Sequence, residues 1–248
     1  MLFTRRVMVL SMAGFVAGRC GGDGNDPPLP PPPPPTPGTI NFPFSFATNL
    51  AGWEPAYSDY TLGQEASIDF TFGHERLPAP LDNRSGLFLS SNNRSDDVFM
   101  FAARLLDGLA RSTRYRVDLE ITLATNAPPN CPGIGGSPGE GVTVKAGAVG
   151  FRPETVIQTA NFITVNFSKG NQAQGGSDVV AIGNLAQTTS GSCTSPDYRL
   201  KTLSIGSGGP IVTSDSSGRV WLVIGTDSGF EGLTKVYLLE GSARLTPV

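Results

Sequence analysis

Histidine and cysteine are scarce in this chain: 248 residues include one histidine, His74, and three cysteines, Cys20, Cys131 and Cys193. The usual structural zinc sites need four close Cys or His ligands, so these dispersed residues exclude them. Basic residues are also few, 18 Lys and Arg against 21 Asp and Glu. Without a basic footprint for phosphates, nucleic acid is excluded as a partner. No apolar run reaches the ~20 residues that a transmembrane helix requires. The longest runs from Val7 to Gly18, preceded by Arg5 and Arg6. Its length and its positive flank predict a signal peptide over residues 1–19.

The apolar run ends at Ala17-Gly18-Arg19-Cys20, and a small, polar stretch, Gly21-Gly22-Asp23-Gly24-Asn25-Asp26, follows. This junction resembles the lipobox of bacterial lipoproteins. The resemblance implies export, acylation of Cys20 and a lipid anchor in the cell envelope. Arg19 stands where that family has a small residue, and ordinary cleavage near Ala17 is the alternative. Removing Arg5, Arg6 and Arg19 would take the formal charge from −3 to −6. Beyond Cys20, Pro30 through Pro35 run without a break. Proline fixes φ and donates no hydrogen bond, so residues 20–38 read as an anchor and an extended linker. At about 3.1 Å per residue this stalk would hold a domain roughly 30 Å from its anchor. A ligand for a proline-recognition domain is the rival reading, and it suits a cytosolic chain better.

Residues 39–248 read as one all-β domain. From Arg114 the chain alternates: Tyr115, Val117, Leu119, Ile121 and Leu123 on one side, Arg116, Asp118, Glu120 and Thr122 on the other. That period of two buries one face and wets the other. Shorter runs predict strands at Phe42–Ala47, Ile68–Phe72, Leu87–Ser90, Val98–Ala102, Val142–Ala148, Phe162–Phe167, Val179–Ile182, Tyr198–Leu203, Val220–Ile224 and Lys235–Leu239. Asp215-Ser216-Ser217-Gly218 reads as a hairpin turn between Ile211-Val212 and Val220. Only Met100–Leu109 competes as a helix, against the β-forming Val98-Phe99 and Gly108. So many short strands predict a two-sheet antiparallel β-sandwich of the jelly-roll type. Cys131 and Cys193 lie in turn-rich loops and are expected to pair as a disulfide in an oxidising compartment.

The order of strands, with Gly52-Trp53 after the first and Thr113-Arg114-Tyr115-Arg116-Val117-Asp118-Leu119 before the middle, is similar to the galactose-binding-like jelly rolls of carbohydrate-binding modules. Arg219-Val220-Trp221-Leu222 through Tyr237 would supply the closing strands. The resemblance implies a binding module and assigns no ligand residue.

Several clusters could carry chemistry. Trp53, Tyr57, Asp59 and Tyr60 put aromatic faces beside an acid, as sugar binding requires, although a Trp after the first strand also suits a core. Asn92-Asn93-Arg94-Ser95-Asp96-Asp97 reads as the opposite wall or as a solvated turn. The glycine-rich segment Gly225–Gly232 reads as a loop in which Asp227 and Glu231, joined by Asp96 and Asp97, would offer oxygens to a structural calcium. A wide turn whose polar groups cap strand ends is the alternative. A glycosidase pair could be drawn from Asp82, Asp96, Asp97, Asp227 and Glu231, but sequence gives no spacing between them. A trypsin-like triad is rejected, because His74 in Phe72-Gly73-His74-Glu75 lacks that family's flanking residues. Gly133-Ile134-Gly135-Gly136-Ser137-Pro138-Gly139 lacks the lysine of a phosphate loop. Two functions follow: an envelope-anchored, non-catalytic binding module with a glycan as partner, or an accessory lipoprotein that packs against an envelope protein.

Overall fold

The alternation that begins at Arg114 forms β7, Arg114–Thr125, and its inward side chains Tyr115, Val117, Leu119, Ile121 and Leu123 are all buried. The computed structural model describes residues 37–94, 97–206 and 208–248. The expected signal segment, Cys20, the expected stalk up to Thr36 and Asp96 lie outside the described residues.

Around β7 stands a seven-stranded sheet in which every ladder is antiparallel. Strands β12 (Arg199–Ser204) and β13 (Ile211–Thr213) share its outer side. On its inner side runs β15 (Leu233–Pro247), whose first half pairs with β5 (Ser85–Asn92) and whose second half pairs with β1 (Ile40–Ser45). Strand β4 (Thr71–Arg76) closes the edge beside β5. The second sheet has five antiparallel strands in the order β11 (Val179–Asn184), β8 (Val142–Val149), β14 (Val220–Ser228), β6 (Val98–Leu106) and β2 (Glu54–Ser58). The inner faces meet in one core, where Leu87, Leu119, Ile121 and Val236 oppose Met100, Val144, Leu222 and Ile224. No helix among the described residues is long and apolar enough to cross a membrane.

Three expectations are corrected in detail. Ile68 ends a four-residue helix, Glu65–Ile68, and the neighbouring strand begins only at Thr71. The Asp215–Gly218 turn forms, held by Gly218 N–H to Asp215 O at 3.0 Å. It joins no hairpin, because β13 pairs with β7 and β14 lies in the other sheet. It carries the chain from sheet to sheet. Met100–Leu109 is not helical, as Val98-Phe99 and Gly108 indicated, and Met100–Leu106 lie in β6. Most consequential, β14 does not end at Ile224 but continues through Gly225, Thr226, Asp227 and Ser228, paired on both sides with β6 and β8. A central strand satisfies its backbone from both neighbours, so residues that favour turns can remain extended there. Gly225 suits the place, since a Cβ would sit 2.5 Å from the Met100 carbonyl oxygen.

A third, small sheet covers the outer face of the five-stranded one. It consists of β3 (Tyr60–Thr61), β10 (Phe162–Val165) and β9 (Thr155–Ile157). With the following loop it buries a second apolar cluster, Phe99, Phe101, Val165, Phe167, Trp221 and Val223 among its members. This cover explains why β8 and β14 are buried along their whole length. Cys131 and Cys193 form the expected disulfide, 62 residues apart, between the loop after β7 and the loop before β12.

Candidate functional site

The covered outer face of the five-stranded sheet holds two unusual groupings. Period-two alternation sends Trp221, Val223 and Asp227 of β14 outward, beside Lys145 of β8 and Phe99 and Phe101 of β6.

At one end lie five ionisable side chains. Lys145 and Asp227 are completely buried, and their Nζ and Oδ2 atoms are 2.7 Å apart. Lys145 also donates to the carbonyl oxygens of Lys169 and Gln174, each at 2.8 Å. Lys169, in the loop after β10, donates to the same Asp227 oxygen at 2.7 Å and pairs with Asp59 at 2.5 Å. Asp59 sits at a left-handed turn, φ 69°, between β2 and β3, where Ser58 and Thr164 hydroxyls reach its Oδ1. Asp97, just before β6, completes the set: one oxygen each of Asp59, Asp97 and Asp227 lie within 4.8 Å of one another.

Three carboxyls against two ammonium groups leave one negative charge too many for a buried site, and a proton removes it. Burial, then the hydrogen bond to Asp227 and the charges of Asp227 and Asp59, push Asp97 up to about 8. Burial pulls Lys145 below the usual lysine range despite Asp227. Burial also acts against the Lys169 ammonium, but Asp227 and Asp59 together outweigh it and hold that group above its ordinary value. A carboxyl whose folded pKa is raised binds a proton that the unfolded chain releases, so its stabilising effect is complete below the unfolded value and fades as pH rises toward the folded one. The denaturation midpoint is therefore expected to fall as pH is raised from about 4 to about 8, with Asp97→Asn flattening that slope. An unchanged slope in the variant would refute the assignment.

The expected calcium set is only partly assembled. Asp97 and Asp227 come together, Asp59 is their third partner, Glu231 is not in the group, and Asp96 lies outside the described residues. Three such oxygens could hold a cation, but Lys145 and Lys169 already supply positive charge to them. Of the glycosidase candidates, Asp227 is fully buried and tied to both lysines, and Asp82 is exposed on a distant loop.

At the other end of the face is an open cleft of about 340 Å³, lined by Glu54, Phe101, Arg152, Glu154, Thr155 and Trp221 among others. The Arg152 guanidinium lies over the Trp221 ring, 5.1 Å from its centre, and pairs with Glu54 at 2.5 Å. Arg152 and Glu54 are both more than half exposed, so their pairing adds little to stability. Asn166 fixes the loop, donating to the Arg152 carbonyl and accepting from the Glu154 N–H, both at 3.0 Å.

Carbohydrate-binding modules and adhesin domains are among the solved structures to which the chain is similar at low identity. Similar solved structures include the family 11 carbohydrate-binding module of a Clostridium thermocellum cellulosomal cellulase, with 11% identity and a TM-score of 0.36 over 84% of this chain and 95% of that one. The K1 cleaved adhesin domain of Lys-gingipain from Porphyromonas gingivalis is similar at 11% identity and a TM-score of 0.35, over 82% and 97%. A protein from Bacteroides thetaiotaomicron gives 9% and 0.33, over 82% and 88%. No family model matches the sequence, and no curated protein matches it.

The aromatic cluster expected to bind sugar is divided by the fold. Trp53 is 2% exposed and packs with Phe44 and Phe46, ring centres 5.0 and 5.7 Å away, so it presents no face to a ligand. Asp59 belongs to the charge cluster. Tyr57 and Tyr60 remain half-buried and stacked at 4.9 Å, with Phe70 on the other side of Tyr57 at 4.6 Å. Burial, then the hydrogen bond to Tyr57, raises the Tyr60 hydroxyl far above its ordinary value. Sequence reasoning missed Lys145, Lys169, Arg152 and the outward aim of Trp221. Lys145 did leave a signal, as the lone charge inside Val142-Thr143-Val144-Lys145-Ala146. Period two places it on the face opposite Val144 and Ala146, which alternation alone cannot tell wet from covered, and the loop after β10 buries it.

Proposed function

We propose that this chain is an exported, lipid-anchored envelope protein whose sandwich is a non-catalytic glycan-binding module, and that the glycan lies in the Trp221 cleft. The observation that carries the reading is the cleft itself: an indole at its floor, 9% exposed, under an exposed guanidinium that a ligand can displace from the ring, with a carboxylate beside it. A sugar ring needs an aromatic face against its C–H side and charged or amide groups for its hydroxyls. Arg152 and Glu54 are exposed and can exchange their mutual pairing for hydroxyls at little cost. The expected lipid at Cys20 and the stalk of residues 20–38 support the reading, because they would project the module away from the membrane.

Affinity electrophoresis through gels that contain soluble mannan, β-glucan or galactan tests it. Retardation of the wild type by at least one polymer is expected. Arg152→Ala and Glu54→Ala should fold normally and bind several-fold more weakly, and Trp221→Leu should lose roughly tenfold or more, about 1.4 kcal/mol. No retardation of the wild type, or equal retardation of all three variants, refutes the site. Selective capture of a neighbouring envelope protein through this cleft would favour the accessory role instead.

A further inference from the structure

The buried charge cluster has the parts for a chemical step that binding does not use. We propose that the side chains of Lys145 and Asp227 condense into an intramolecular amide that joins β8 to β14 covalently.

Geometry is the first support. The Lys145 nitrogen and an Asp227 carboxyl oxygen are 2.7 Å apart, neither side chain is exposed, and both stand on adjacent strands whose register is fixed along its length. Groups held at such a distance react as one molecule, which removes the entropic cost of their meeting. The site is also dry on its sheet side: Phe99 and Phe101 stack at 5.3 Å, and Phe167 meets Phe101 edge-on at 5.7 Å. Excluding water favours condensation and protects the product from hydrolysis.

The surrounding charges divide into roles. An ammonium and a carboxylate do not condense; a neutral amine and a neutral acid do, and the two forms carry the same total charge. Burial pulls Lys145 toward its amine form, and burial, then the hydrogen bond to Asp227, pushes Asp97 toward its protonated form, so the cluster holds a proton within reach of the Asp227 carboxyl. Lys169 remains an ammonium, held between Asp227 and Asp59. In the step, the Lys145 nitrogen pair attacks Asp227 Cγ, a C–N bond forms, and the carbonyl electrons move onto Oδ2. That oxygen already faces the Lys169 ammonium at 2.7 Å, which stabilises its developing charge. Oδ1 accepts no hydrogen bond from an amine, amide or alcohol. Asp97 takes a proton from the nitrogen and returns one to Oδ1, which leaves as water as the C–O bond breaks. One amine and one acid give one amide and one water, with no oxidant or reductant. The released water would leave through the cavity of about 420 Å³ above Asp59, Asp97 and Lys169. Amide formation removes the Asp227 charge but not the burial that is the largest cause of the raised Asp97 value, so the pH slope described above persists, reduced, in the cross-linked chain.

The cross-link would bind residues 82 apart in sequence through the central strand of a sheet. Peptide mapping of the full chain, reduced and denatured before digestion, tests it. The expected result is a branched peptide that joins the Lys145 and Asp227 segments, lighter than their sum by one water, with no cleavage after Lys145. Asp97→Asn keeps both reacting residues and is expected to leave them as separate peptides. Lys145→Arg, which keeps the charge, should also give separate peptides. A wild-type chain that yields an unlinked Lys145 peptide, labelled at its amine after denaturation, overturns the proposal, whatever the variants do. A water loss confined to the Asp227 peptide, as from cyclisation onto its own backbone, overturns it equally.

Discussion

Asp227→Ala is expected to lower the unfolding free energy by about 3–5 kcal/mol, a large share of the roughly 5–15 kcal/mol that holds a typical domain folded. The substitution leaves the Lys145 ammonium facing only the carbonyls of Lys169 and Gln174, and leaves Lys169 with Asp59 alone. Removing one partner of a buried pair strands the other's charge, which costs far more than the pair itself contributes. The companion double variant, Asp227→Leu with Lys145→Met, should recover part of the loss, because it removes both charges together. The Asp97→Asn chain, which retains both residues without the amide, is the reference for the ion pair alone. Chemical denaturation of the set checks this. A loss below about 1 kcal/mol for Asp227→Ala would mean that the cluster is solvated in solution.

Breaking the Cys131–Cys193 bridge is the second large effect. Replacing both cysteines by serine is expected to cost about 4 kcal/mol, because the bridge spans 62 residues and constrains the unfolded chain more than the folded one. The loops it joins are already held in the folded state: Gln187 donates to the carbonyls of Thr125 and Asp197 at 2.8 and 2.7 Å. The native structure should therefore persist in the variant, with its melting temperature lower by roughly 10 °C for a domain of this size. Reductant should reproduce that shift in the wild type and leave the double variant unaffected. A shift under about 3 °C would show that residual structure in the unfolded chain already restrains this loop.

The two effects bear on function through the same layer of the fold. The third small sheet and the loop after it bury the charge cluster at one end of the outer face and leave the Trp221 cleft open at the other. Arg152 and Glu54 can be altered without touching the core, whereas Asp227 cannot. A loss of binding in the Arg152 and Glu54 variants therefore reports on the cleft, and a loss of stability in the Asp227 variant reports on the cluster.

What the sequence determined by itself is the part governed by local periodicity. The alternation from Tyr115 to Leu123 fixes a strand with one buried face, and turn residues around Cys131 and Cys193 place both thiols in loops. Where the reading went astray, the deciding contact came from a distant segment. Gly225-Thr226-Asp227-Ser228 has the composition of a turn, yet it is extended because β6 and β8 take up its backbone on both sides. Trp53 was left between a ligand face and a core, and only the distant Phe44 and Phe46, which claim its ring, decide for the core. Only the tertiary structure could bring Asp59, Asp97, Lys145, Lys169 and Asp227 together, since each comes from a different element and period two gives the same signal for a wet face and a covered one. Covering that face with a second layer turned charges that alternation assigns to water into a buried cluster, and a pattern confined to one strand holds no record of what packs above it.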